Sequence, residues 1–137
     1  MQTTEYRGPK YQAHRDVKDV AKDIRKDIKQ TVKDGYLPGD PVKYSVTIER
    51  FSGGRAINVT IKNWPTPARR WVADLRGTYG GGYERTHEAQ SAMVLLESIV
   101  DAYNRDNSDT MTDYFDVAFY SSIDFDFATT PRPEGAR

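Results

Sequence analysis

Cysteine is absent from this chain of 137 residues. That single absence excludes disulfides, thiolate metal sites and a cysteine nucleophile, and it suits a reducing, cytoplasmic setting. Long apolar runs are also missing. None approaches the roughly 20 residues that span a bilayer, so no membrane partner is expected. The opening Met1-Gln2-Thr3-Thr4-Glu5-Tyr6 has no apolar stretch of the kind a secretion signal needs. Histidine is scarce, with only His14 and His87, far apart in the chain and near the starts of two helical segments. No Gly-x-Ser-x-Gly elbow, P-loop or His-Glu-x-x-His pattern occurs. The expectation is a protein that is not an enzyme, with no catalytic residue, no metal and no cofactor. Net charge is absent too, with 20 Lys+Arg against 20 Asp+Glu.

What is present is aromatic and unevenly charged. Sixteen aromatic residues, 12% of the chain, are too many for a chain that buries nothing, although the mean hydropathy is −0.76. The length suits one domain over residues 1–137. Residues 1–76 hold 16 basic and 9 acidic side chains, and residues 77–137 hold 4 and 11. The two halves neutralise each other or form a basic and an acidic face.

Hydrophobic spacing outlines the elements. Residues 1–13, with Gly8 and Pro9, read as an extended, flexible arm. Val17, Val20, Ala21, Ile24, Ile28 and Val32 recur at three- and four-residue steps and predict a helix over 14–34, stopped by Gly35. Residues 42–50 and 56–62 alternate apolar and polar around Phe51-Ser52-Gly53-Gly54-Arg55, the pattern of a hairpin. Pro67 is a favourable first position for a short helix over 68–76, followed by a glycine-rich loop through Gly82. Thr86 caps a second long helix over 86–104, with Ala89, Met93, Leu96, Val100 and Tyr103 as its stripe. Residues 114–127 alternate again, with Phe115, Val117, Phe119, Ile123, Phe125 and Phe127 on one side. The tail 128–137 reads as disordered. The order α-β-β-(α)-α-β predicts an α+β two-layer sandwich: a small antiparallel sheet of about three strands covered by two main helices. Its open edges allow a monomer or a homodimer.

Segment 64–85 is the candidate recognition surface. Trp64, Trp71, Tyr79 and Tyr83 interleave with Arg69, Arg70, Arg76 and Arg85, and Arg50 and Arg55 add charge at the hairpin. Rings stack on bases while guanidinium groups hold phosphates, so the composition suits single-stranded RNA or DNA. Gly77-Thr78-Tyr79-Gly80 spells a Gly-x-x-Gly loop where a type II KH domain clamps a nucleic-acid backbone. The same residue types build protein-binding hot spots, or both tryptophans fill the core. On the acidic side, Asp113, Asp116, Asp124 and Asp126 are weighed as a divalent-cation site against a solvated strand face, which fits better because the calcium-loop glycine is missing. Glu97, Asp101, Asp106, Asp109, Asp113 and Asp116 form either a phosphate-mimicking face or a solvated one.

Ile24-Arg25-Lys26-Asp27-Ile28-Lys29, Lys43-Tyr44-Ser45-Val46, Phe51-Ser52-Gly53-Gly54 and Ala56-Ile57-Asn58-Val59 follow one another in an order that resembles the large polyvalent-protein-associated domain family numbered twenty-nine. Asp109-Thr110-Met111-Thr112-Asp113 echoes a stretch near that family's end. Asn63-Trp64-Pro65-Thr66-Pro67 replaces the family's Asp-Gly-Pro turn. The resemblance implies a phage or mobile-element protein working in the host cytoplasm. It implies binding to a host macromolecule, a host protein first and nucleic acid as the alternative, in counter-defence or host takeover. It brings no catalytic residue with it.

Overall fold

A computed structural model describes residues 6–72, 82–106 and 117–132. Strand β1 (Tyr6–Arg7) leads into helix α1 (Val17–Lys33), followed by β2 (Lys43–Phe51) and β3 (Gly54–Lys62). Next come β4 (Arg69–Val72), β5 (Gly82–Arg85), helix α2 (His87–Asp101), β6 (Arg105–Asp106) and β7 (Tyr120–Phe125). The α+β class expected from the sequence is the one observed.

Each long helix is fixed by its ends and one face. The Asp16 side chain accepts from the backbone N–H of Lys18, occupying one of the amides left open at the start of α1. Gly35, at φ 86°, takes the left-handed turn that stops it. Between these ends Val17, Val20, Ala21, Ile24 and Ile28 are buried. Thr86 caps α2, whose buried face is Ala89, Ala92, Met93, Leu96 and Val100. α2 ends at Asp101, so Tyr103, expected on its stripe, is buried from the turn that follows.

The main sheet has the order β2-β3-β7. β2 and β3 pair antiparallel with Val46 opposite Val59 and Ile48 opposite Ile57. β7 lies parallel to β3, with Val59 opposite Ile123 and Ile61 opposite Phe125. The sheet is therefore mixed, not antiparallel as expected. The cause is connectivity: the chain leaves β3, passes through α2 and returns, and such a crossover delivers its strand parallel. One sheet face, carrying Val46, Ile57, Val59, Ile61, Ile123 and Phe125, joins the two helix stripes in the core. The other face is polar, with Ser45 opposite Thr60, Thr47 opposite Asn58, and Asn58 beside Ser122. The Ser122 hydroxyl donates to Asn58 Oδ1 at 2.7 Å. β2 is an edge, and the Arg25 guanidinium on α1 donates to its Val46 carbonyl at 2.8 Å, covering one rung.

The structure differs from the sequence expectation at four further places. From Tyr6 onward, the segment expected as a flexible arm is bonded in place. β1 pairs with β6, and Gly8 and Lys10 donate to the carbonyls of Asn104 and Ala102, each at 2.8 Å. The short helix expected over 68–76 is a strand through its described part, Arg69–Val72, paired with Gly82–Arg85. Phe127, expected on the buried side, is exposed because β7 ends at Phe125 and the chain turns. Thr130, in the stretch read as a disordered tail, is buried and donates to the Asp126 carbonyl at 2.9 Å.

Candidate functional site

The residues singled out in the sequence fall at two opposite ends of the sheet. β3 starts beside Arg55 and finishes at Lys62, and β7 runs alongside it in the same direction. At about 3.3 Å per residue, the hairpin tip lies roughly 20 Å from the end where the β4–β5 ribbon begins. Arg50 and Arg55 therefore do not join Arg69, Arg70 and Arg85 in one surface, as the sequence grouping expected.

At the far end, the ribbon is set by its register. Arg69 stands opposite Arg85, Arg70 opposite Glu84, and Trp71 opposite Tyr83. Positions 69, 71, 83 and 85 thus share one side of the ladder. Arg69 stacks on the Phe127 ring at 4.5 Å, and Arg70 is ion-paired with Glu84. Arg85 donates to Gln90 Oε1 at 2.7 Å. The ribbon is tied to the body by the Thr86 N–H donating to the Ala68 carbonyl at 2.8 Å. Trp64 belongs to the core: it is 4% exposed and meets Phe125 edge-on at 5.2 Å. Its indole N–H is buried and has no partner among the described residues. Arg76, Tyr79 and the glycine loop lie outside the described residues.

At the near end the hairpin tip places Arg50 opposite Arg55, and the terminal ribbon places Arg7 opposite Arg105. Like charges directly opposite on paired strands repel, and each of these residues has found an outlet. Arg50 pairs with Asp16 at 3.1 Å, and the Arg55 Nε donates to the Ala118 carbonyl at 2.9 Å. Arg7 lies over the Tyr11 ring at 5.9 Å, and both Arg7 and Arg105 carry contacts of their own. Arg15 joins them, bound to Asp23 at 2.5 Å. The Lys18 backbone N–H first and Arg50 second hold the Asp16 carboxyl below the ordinary aspartate range, and Arg15 does the same for Asp23.

Sequence reading missed Arg7, Arg15 and Arg105. They come from stretches dispersed along the chain: the β1–β6 pairing sets Arg7 against Arg105, and Arg15 lines the same cleft from the segment before α1. The one local hint was Arg50 and Arg55 flanking a tight turn.

Among the described residues the remaining candidates do not assemble. Asp124 is exposed on β7, while Asp126 lies beyond the strand and accepts from the Ala128 N–H at 3.0 Å, closing a turn. Asp109, Asp113 and Asp116 lie outside the described residues. Among the described residues no group of three or more His, Asp or Glu is arranged to hold a metal ion. Glu97 and Asp101 lie one turn apart on α2, where burial first and Glu97 second push the Asp101 carboxyl up. Asp106 stands opposite Tyr6. His14 and His87 are both exposed. Among the described residues no helix is long and apolar enough to cross a membrane. No family model, no curated protein and no solved structure matches the chain.

Proposed function

We propose that this chain is a non-enzymatic protein of a phage or mobile element that binds a host protein through its β4–β5 end, to counter host defence or redirect host metabolism. The setting rests on the sequence resemblance across residues 24–59. The mode of action rests on one observation: the ribbon register sets Arg69 against Arg85 and Trp71 against Tyr83. Arginine and large aromatic residues supply most of the energy at protein interfaces. Glu84, Gln90 and Phe127 already orient Arg70, Arg85 and Arg69, and a side chain held in place loses less freedom on binding.

These internal partners weaken the nucleic-acid alternative at this end. A phosphate-tracking surface needs its guanidinium groups turned toward the ligand, and here one is spent on a carboxylate. A KH-type clamp also sets its loop between two helices, whereas strands flank it here.

The test is retention of host components on the immobilised protein, with and without nuclease. A protein retained after nuclease treatment, and reduced about tenfold or more for Arg69→Ala combined with Arg70→Ala, supports the proposal. Retention abolished by nuclease and falling steeply with salt supports the nucleic-acid reading. Unchanged retention by the double variant removes this ribbon from consideration.

A further inference from the structure

The near end carries a second constellation, separate from the β4–β5 ribbon. Arg7, Arg15, Arg55 and Arg105 line one cleft of about 440 Å³, together with Tyr11 and His14. That volume is within the range of small-molecule sites. Val17, Val20 and Phe119 supply an apolar wall. His14, at the rim, has φ 63°, a left-handed backbone that a residue with a side chain rarely adopts and that concentrates at binding sites.

Arg55 is the hinge of the arrangement. Its Nε is fixed by the Ala118 carbonyl, which leaves the two terminal nitrogens of its guanidinium for another acceptor. Among the described residues no carboxylate pairs with it. Arg55, Ala118 and Phe119 also border a second, shallower groove of about 580 Å³ at the hairpin tip. In that groove the rings of Phe51 and Tyr120 stand 5.9 Å apart and are 46% and 40% exposed. One side of Arg55 is thus a cleft rich in guanidinium groups, and the other is a pair of exposed rings.

We propose that this end of the molecule binds a nucleoside phosphate, with the phosphate in the arginine cleft and the base against Phe51 and Tyr120. A guanidinium presents a fork of donors that matches phosphate oxygens. Bases stack on aromatic rings whatever their sequence. Four guanidinium groups line this one cleft, which gives the site its preference for an anion. A free nucleotide and the phosphorylated end of a single strand offer this same chemistry.

The experiment measures binding of adenosine monophosphate, and of a short oligothymidylate with and without a 5′-phosphate, to the intact chain by titration calorimetry. The phosphorylated ligands are expected to bind about tenfold or more tighter than the unphosphorylated strand. Binding of the mononucleotide assigns the site to free nucleotides, and binding of the phosphorylated strand alone assigns it to strand ends. Arg55→Gln and, separately, the surface variant Arg7→Gln should each weaken binding about tenfold with the melting temperature nearly unchanged. Phe51→Ala with Tyr120→Ala should weaken nucleotide binding while leaving inorganic phosphate unaffected. Equal affinity with and without the 5′-phosphate, or a loss from the distant Arg85→Gln as large as that from both Arg55→Gln and Arg7→Gln, overturns the proposal.

Discussion

Asp27 shows how single residues hold this fold at its seams. Its Oδ2 accepts from the Tyr103 hydroxyl at 2.5 Å and from Lys10 Nζ at 2.8 Å, joining the end of α2, the N-terminal segment and α1. Tyr103→Phe should cost about 1.5–3 kcal/mol in denaturant unfolding, the usual range for a hydrogen bond to a charged acceptor. Burial raises the Tyr103 phenol above its ordinary value, helped by Asp27, and burial alone pushes Tyr44 up to about 12. Both phenols are therefore favoured neutral in the folded chain. Their stabilisation is whole below an unfolded tyrosine value of about 10 and is lost as pH rises past it. Melting temperatures should fall above about pH 10, and by less in Tyr103→Phe. Asp16, Asp23 and Asp40 act at the other end of the scale: their lowered carboxyls favour the fold fully above an unfolded aspartate value of about 4, and that contribution is lost as pH falls below it through their lowered folded values. Asp101, pushed up by burial, works in the opposite direction.

Trp64 tests a different term. Its ring is buried beside Phe125 while its indole N–H has no partner among the described residues, and a buried donor left unmade is costly. Trp64→Phe removes that donor with the loss of some packing, so it should cost less than about 1.5 kcal/mol. Trp64→Ala should cost about 3–5 kcal/mol. Gly8 is needed for close approach: a Cβ there would stand 2.3 Å from the Ala102 carbonyl oxygen. Gly8→Ala should loosen the β1–β6 closure and cost about 1–3 kcal/mol, read by urea unfolding.

Elements with a full apolar period were legible in the sequence. The stripe from Val17 to Ile28, the stripe from Ala89 to Val100 and the alternation of Val46, Ile48, Ile57, Val59 and Ile61 each need one buried face, and each has it. The short strands were not legible. β1 and β6 have two residues each and β4 has four, too few for any period to show. The Arg69-Arg70-Trp71-Val72 stretch follows a proline that suits a helix start. It becomes a strand because Gly82–Arg85 pairs with it, a contact that local sequence does not specify. Strand direction was hidden for the same reason: alternation fixes which side of β7 is buried, whereas the crossover through α2 fixes its orientation. Paired basic residues mark all these ribbons, with Lys43 opposite Lys62, Arg50 opposite Arg55, Arg69 opposite Arg85 and Arg7 opposite Arg105. Such pairs lower strand stability, so Arg50→Thr should leave the hairpin as stable or slightly more so by melting temperature, despite losing its exposed ion pair with Asp16.

For the whole molecule, the sheet acts as a spacer between two arginine-bearing ends. The sequence showed that arginines and rings were plentiful but placed Arg50 and Arg55 with the 64–85 segment, because proximity in the chain stood in for proximity in space. Residues about 20 Å apart have no shared contacts, so substitutions at the two ends should act independently. The double variant Arg69→Ala with Arg70→Ala should therefore leave adenosine monophosphate binding at Arg55 unchanged in a calorimetric titration.

Amide hydrogen exchange on the chain, free and in complex with the host protein it retains, tests the central claim most directly. Recognition through the β4–β5 ribbon predicts slowed exchange at 69–72 and 82–85, with 43–51 and 54–62 unchanged. Protection confined to the polar sheet face or to the hairpin tip, with 69–72 and 82–85 exchanging as in the free chain, would contradict it.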